Sequence, residues 1–214
     1  MAIATVASFR TEPGKLGEHM ALSAEALGHL RRMGMAAVAL QCVAGADVGS
    51  LGMSVNSAGH ADYAAALQKV AVDGEWQEFW ARAAGAAAAM QVESSIFVDA
   101  DPSIVPAADR PLGGLAADPW RAKDGKAMAF REKVAEGTPM MEGHGATVRT
   151  MQCQIGLHPM TTIVITSFAD LDAYGAFSDA IAADANWQAF WAGAMADPTA
   201  DLVRSGLYLN VSGD

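Results

Sequence analysis

Positive charge is scarce in this chain. Its 14 lysines and arginines face 24 aspartates and glutamates, for a net charge of −10, and they are scattered along the sequence. A phosphate backbone finds no electrostatic footprint here, so nucleic acid is not an expected partner. Long apolar runs are missing too. Hydrophobic residues make up 52% of the chain, yet much of that is alanine and no stretch approaches the ~20 residues of a membrane span, so no membrane association is expected. The start, Met1-Ala2-Ile3-Ala4-Thr5-Val6, lacks the basic and the longer apolar regions of a secretory signal, and a cytoplasmic location is expected.

Cysteine and histidine are equally thin. Cys42 and Cys153 lie inside apolar segments without a CxxC pattern and read as buried thiols rather than a redox pair. None of the five histidines stands at HxH or HxxxH spacing from another, and there is no EF-hand, Walker, Rossmann or GxSxG pattern. On these grounds neither a metal site nor a cofactor is expected.

What the chain has in quantity is self-similarity. Asp73-Gly74-Glu75-Trp76-Gln77-Glu78-Phe79-Trp80 returns 111 positions later as Asp184-Ala185-Asn186-Trp187-Gln188-Ala189-Phe190-Trp191. At the same offset Gly34 meets Gly145, Gln41-Cys42 meets Gln152-Cys153, Gly45 meets Gly156 and Ile96-Phe97-Val98 meets Leu207-Tyr208-Leu209. An ungapped register of this length indicates one duplicated fold unit. The aromatics of the repeated stretch share one helical stripe, which reads as core packing rather than a ligand cage.

Residues 3–10 read as a strand stopped by Glu12-Pro13-Gly14, and 15–32 as an amphipathic helix ended by Gly34 in a left-handed cap. Residues 36–43 and 51–56 make a hairpin. Residues 60–72 are helical, a short helix continues from an Asp73 N-cap, and 95–99 is a fourth strand. Pro102, Pro106, Pro111 and Gly113-Gly114 mark a linker. The second unit repeats the order, with a strand around 114–122 despite Pro119 and a helix from 124 to about 143 interrupted at Glu136-Gly137-Thr138-Pro139. A hairpin of 148–155 and 161–166, helices over 171–183 and 186–195 and a strand over 207–211 complete it.

The order β-α-β-β-α-β, the run Gly145-Ala146-Thr147-Val148-Arg149 into the second strand, and Phe168-Ala169-Asp170-Leu171-Asp172-Ala173-Tyr174 followed by Asp184 and Trp187-Gln188-Ala189-Phe190 resemble the dimeric α/β barrel superfamily. Its NIPSNAP-like and antibiotic-biosynthesis-monooxygenase-like branches are the most similar. The resemblance implies an α+β protein of two tandem ferredoxin-like units, residues 1–103 and 114–214 joined by a linker at 104–113, closed into a pseudo-dimeric α/β barrel. A sheet with helices on one face must bury the other, and the second unit takes the place of a second subunit, with a homo-oligomer still open. The resemblance also implies a small-molecule ligand between sheet and helices, acted on by a cofactor-independent monooxygenase or isomerase whose substrate is a small apolar or aromatic compound. A non-catalytic ligand-binding or structural oligomeric barrel is the alternative. Haem binding is the least favoured reading, because no axial histidine can be matched.

Three residues are the catalytic candidates. His19 stands where the copy has Phe130, and His144, flanked by Gly143 and Gly145, stands where the first unit has Met33. Either is a candidate base, and Arg149 would stabilise developing negative charge. Strand parity is read as placing Val38, Leu40 and Cys42, and likewise Met151, Cys153 and Ile155, under the helices. Gln41 and Gln152 would then face the space between the two sheets. With Cys153 they are the ligand-binding candidates. Because Met33 and Val38 replace His144 and Arg149 in the first unit, the ligand is expected in the second. A cavity of ~300 Å³ or more at His19, His144 or Arg149 would favour catalysis over the non-catalytic alternative.

Overall fold

The computed structural model describes residues 1–100 and 112–213. The linker expected over 104–113 therefore lies, but for residues 112 and 113, outside the described residues. The first half contains β1 (Ile3–Thr11), α1 (Leu16–Arg32), β2 (Ala36–Gly45), β3 (Ser50–Ser57), α2 (His60–Val72), α3 (Gly74–Ala86) and β4 (Ala89–Asp99). The second contains β5 (Gly114–Ala122), α4 (Ala127–Gly143), β6 (Thr147–Ile155), β7 (Thr161–Phe168), α5 (Leu171–Ala183), α6 (Ala185–Ala196), β8 (Ala200–Leu202) and β9 (Gly206–Asn210).

Neighbouring strands run β7-β6-β4-β1-β3-β2-β9-β5, and β5 pairs back onto β7, closing an eight-stranded antiparallel barrel with β8 beside the far end of β5. Two seams join the halves, β2 with β9 and β4 with β6. Each seam carries a glycine at positive φ, Gly45 at 105° and Gly156 at 107°. A Cβ at Gly45 would overlap the Ser205 carbonyl oxygen, and one at Gly156 would overlap that of Ser94, so only glycine lets the two backbones approach this closely.

Strand parity is as expected, but the faces are reversed. Ala37 and Ala39 pack under α1 with Leu27, Leu30, Met33 and Met35. Met151 and Cys153 lie inside the barrel with Ala4 and Phe97, packed by Val6, Leu157, Ile163 and Ile165. Val38, Leu40 and Arg149 also face the interior. The cause is steric: a barrel bore takes the larger aliphatic groups, whereas a helix lying close on the sheet leaves room for alanine. Gln41 and Gln152 accordingly belong to the outer face and do not meet in the bore.

Three local expectations change as well. The α4 helix runs unbroken through Pro139, held by its two buried residues Phe130 and Gly137; packing outweighs the lost backbone donor. The fourth strand begins at Ala89, well before residue 95. Its counterpart at the end of the chain is split into β8 and β9. The split faces Pro119, which has no N–H to offer a ladder and whose carbonyl accepts from Val203 N at 2.9 Å. At the matching place in the first half the β1–β4 ladder shifts register between Ser8 and Phe9.

Asp73 and Asp184 cap α3 and α6, accepting from the backbone N of Trp76 at 2.8 Å and of Asn186 at 2.7 Å. Of the aromatics these helices carry, Phe79 is buried at 3% exposure, whereas Trp80 and Trp191 are 40% and 41% exposed and nothing on α6 is buried. The stripe is therefore cavity wall as well as core, since Trp76, Phe79 and Trp80 line one cavity and Trp187, Phe190 and Trp191 another. No helix among the described residues is long and apolar enough to cross a membrane.

Candidate functional site

Among the described residues, three of the cavities lie against the sheet. The first, about 160 Å³, is between the first-half sheet and α1 and α3, walled by Phe9, Trp76, Phe79 and Trp80 with His19, Ser23 and Gln91. His19 is 5% exposed, and its Nδ1 is hydrogen-bonded to Thr11 Oγ1 at 2.8 Å. Burial pushes its pKa below the ordinary 6.5, so the ring is held neutral.

The second, about 180 Å³, is the barrel bore. Its polar groups are already matched to one another. Arg149 donates from Nε and Nη2 to Asp99 at 2.7 and 3.2 Å and from Nη1 to Asn56 Oδ1 at 2.8 Å, while Asp99 is 1% exposed. Elsewhere in the bore Arg204 is ion-paired with Glu93 and lies 3.2 Å from Asp47, to which Tyr208 also donates at 3.3 Å. Burial raises the pKa of the Tyr208 phenol, which stays protonated. With its charges paired, the bore offers an incoming ligand apolar wall and little else.

The third cavity, about 190 Å³, lies between the second-half sheet and α4 and α6. Trp120, Phe130, Trp187, Phe190, Trp191, Met141 and Met195 wall it, and Asp118, Lys133, Thr166 and Thr199 are polar. Trp187 and Trp191 stack with centroids 5.8 Å apart, and Trp120 meets Trp191 edge-on at 6.1 Å. Gly137 sets the gap between α4 and α6: a Cβ there would stand 3.0 and 3.1 Å from two atoms of the Phe190 ring. Asp118 and Trp120, two residues apart on β5, share the face turned toward the helices. Burial raises the Asp118 pKa, opposed by a hydrogen bond from Ser205 Oγ at 2.5 Å. Lys133 pairs with Glu136 at 2.9 Å and lies over the Phe190 ring at 5.7 Å.

The residues singled out from sequence are thus dispersed. His19 lines the first-half cavity and Arg149 the bore, at about 160 and 180 Å³ both short of the ~300 Å³ that would favour catalysis at these residues, while His144 lines none of the three. His144 follows α4, and its Nε2 lies 2.8 Å from Asp184 Oδ2, tying α4 to the N-cap of α6 much as Arg32 ties α1 to Asp73 at 2.7 Å in the first half. Gln152 spends its amide on its own hairpin, donating to Pro159 O at 2.6 Å and Thr161 O at 3.0 Å and accepting from Thr162. Gln41 is half-buried on the other seam, paired with Leu209. Cys153 is free and buried in the barrel core, and burial pushes its thiol pKa up, away from thiolate reactivity. Asp118 was the residue overlooked. The signal was a carboxylate where the matching strand position holds Ala7, two residues from a tryptophan where that strand holds Phe9.

No protein-family model matches the sequence, and neither does any curated protein. Solved structures do. A candidate monooxygenase from Fusobacterium nucleatum matches with a TM-score of 0.65 at 12% identity over 98% of this chain and 94% of its own. An anthrone oxidase-like protein matches at 0.62 and 13% identity over 100% and 94%, and a haem-binding protein from Thermus thermophilus at 0.54 and 11% over 98% and 90%. At such identities the likeness is one of architecture. The chain has the fold of the dimeric α/β barrel proteins.

Proposed function

We propose that the protein binds a small, flat, apolar compound of one or two rings in the second-half cleft and acts on it by proton transfer without a cofactor. The observation that carries this reading is the cleft itself, where tryptophan, phenylalanine and methionine side chains surround a few polar groups, the usual make-up of a small-molecule site. Its size bounds the ligand. An apolar cavity of ~150 Å³ accepts benzene, and drug-sized pockets begin near ~300 Å³. At about 190 Å³ the cleft suits one ring with substituents or a fused pair, smaller than a polyketide. The monooxygenase and anthrone oxidase-like names among the fold neighbours are compatible with aromatic chemistry that starts by removing a proton.

A haem does not fit the residues present. The second-half cleft has no histidine among its lining residues, and His19, which lines the first-half cavity, is bonded to Thr11 beside about 160 Å³ of space. We also propose that residues 1–103 and 114–214 are duplicated ferredoxin-like units. Support comes from α4, β7 and α5, whose bounds lie 111 positions after those of α1, β3 and α2.

Calorimetric titration with 2-tetralone, a bicyclic ketone, tests the binding site. The account expects saturable binding that Trp191→Ala weakens by ~10-fold or more, in line with one lost aromatic contact, while Trp80→Ala in the first half leaves it unchanged. Equal losses in both variants, or no saturation, would refute the assignment. Tight binding with no turnover of any enolisable ketone would favour the non-catalytic barrel.

A further inference from the structure

Resting on that reading of the cleft, we propose that Asp118 is its general base and that the compound it serves is an enolisable ketone. Asp118 reaches the cleft from β5, on the sheet side. The only other titratable group among the lining residues is Lys133, which comes from α4 and is held by Glu136. From α6 the cleft receives aromatic, alanine and methionine side chains, with no charge. The carboxylate is half-buried at the edge of an aromatic-walled cleft from which a substrate would displace water, the setting in which a carboxylate removes protons next to a carbonyl. Its raised pKa agrees with that geometry.

The neighbouring backbone is arranged for the role. The interruption between β8 and β9 frees Ser205 from the ladder, and its hydroxyl donates to Asp118 Oδ1. That bond fixes the carboxylate and leaves Oδ2 as the accepting atom. In the first half the same stretch, Val92-Glu93-Ser94, is continuous strand and the strand opposite carries Ala7, so the first-half cavity has no counterpart of this base. The step balances without an oxidant. The C–H bond beside the carbonyl breaks, its electron pair moves into the enolate, and the proton forms an O–H bond at Asp118 Oδ2. The Lys133 ammonium is the cation available to the enolate oxygen. Return of the proton to the same carbon exchanges it, and where the enolate is conjugated with a C=C bond, return to the γ-carbon completes an isomerisation.

The test is exchange of the α-protons of 2-tetralone in D2O, followed by NMR, together with calorimetric binding of the same compound. The wild type should accelerate exchange. Asp118→Asn, and Asp118→Ala as the residue of the matching first-half position, should lose ~100-fold or more of that acceleration. Their dissociation constants should stay within ~3-fold. Ser205→Ala should lose part of the acceleration, because the carboxylate is no longer fixed, and move the acidic limb of its pH profile upward, because the bond that lowers the Asp118 pKa is gone. Full exchange in the Asp118 variants with unchanged binding would overturn the base assignment and leave the cleft reading standing. So would an unmoved limb in Ser205→Ala, or a wild type that binds without accelerating exchange. Absence of saturable binding in the wild type would overturn the cleft reading and the base with it.

Discussion

His19 shows how a residue can look catalytic in sequence and be explained by its surroundings. A histidine facing the sheet where the copy has Phe130 invites an acid or base role. In the structure it is a buried neutral ring bonded to Thr11. Its pKa is depressed by burial, so the unfolded chain binds a proton more readily than the folded one in the interval below 6.5. Stability should therefore rise with pH through that interval and fall as pH drops from about 7 toward 5. His19→Phe, which borrows the residue of the second half, should flatten this part of the stability–pH curve. An unchanged curve in urea titrations at pH 5, 6 and 7 would contradict the assignment. Asp118 was overlooked for a related reason. Parity groups it with Trp120, but parity alone does not say which strand face the helices cover when both faces are apolar, as they are in a helix-clad barrel.

At the scale of elements, much was legible because residues that match at an offset of 111 supply two readings of many segments. The bounds of α1, α2 and the two hairpins follow from periodicity and turn residues. What escaped was set by packing: α4 continues through Pro139 because Phe130 and Gly137 anchor it, and the last strand splits where Pro119 cannot pair. The link between α4 and α6 makes a prediction. The hydrogen bond from His144 holds the Asp184 carboxyl below its ordinary 3.8. A depressed carboxyl contributes stability above that value and loses it as pH falls through the folded one, so His144→Ala should move acid unfolding to higher pH. Circular dichroism across pH 2–5 reads this directly. If acid unfolding is unmoved while 2-tetralone binding is lost, His144 belongs to the site after all.

The gap between α4 and α6 is likewise an element-scale property. Gly137→Ala should cost little stability, since alanine favours the helix by about 1 kcal/mol over glycine while Phe190 must shift by a few tenths of an ångström. Phe190 lines the cleft, so its shift changes the space open to a ligand. The variant should therefore keep its melting temperature and bind 2-tetralone at least ~5-fold more weakly, and unchanged affinity would count against the cleft as the site.

For the molecule as a whole, the ion pair between Arg204 and Glu93 is the most telling contact. The two residues are 111 positions apart, at matching places of the two halves. Copies of either half alone would bring like charges together at this point. On the duplication proposed above, opposite charges at this point require one chain that carries both halves, which gives the two units a reason to diverge. Arg204→Ala should destabilise by about 2 to 4 kcal/mol, leaving Glu93 and Asp47 without their cation. The double variant with Glu93→Ala should recover part of that, with a coupling of about 1 to 3 kcal/mol. Additive losses would remove the pair from the account.

The same divergence separates the cavities: His19 marks one, Asp118 the other, and the bore keeps its charges to itself. The measurement that bears most directly on this is the crystal structure of the protein grown with 2-tetralone. Density is expected among Trp120, Trp187 and Trp191, with the α-carbon within reach of the Asp118 carboxylate. Density in the bore beside Arg149, or in the first-half cavity beside His19, with the second-half cleft empty, would contradict it.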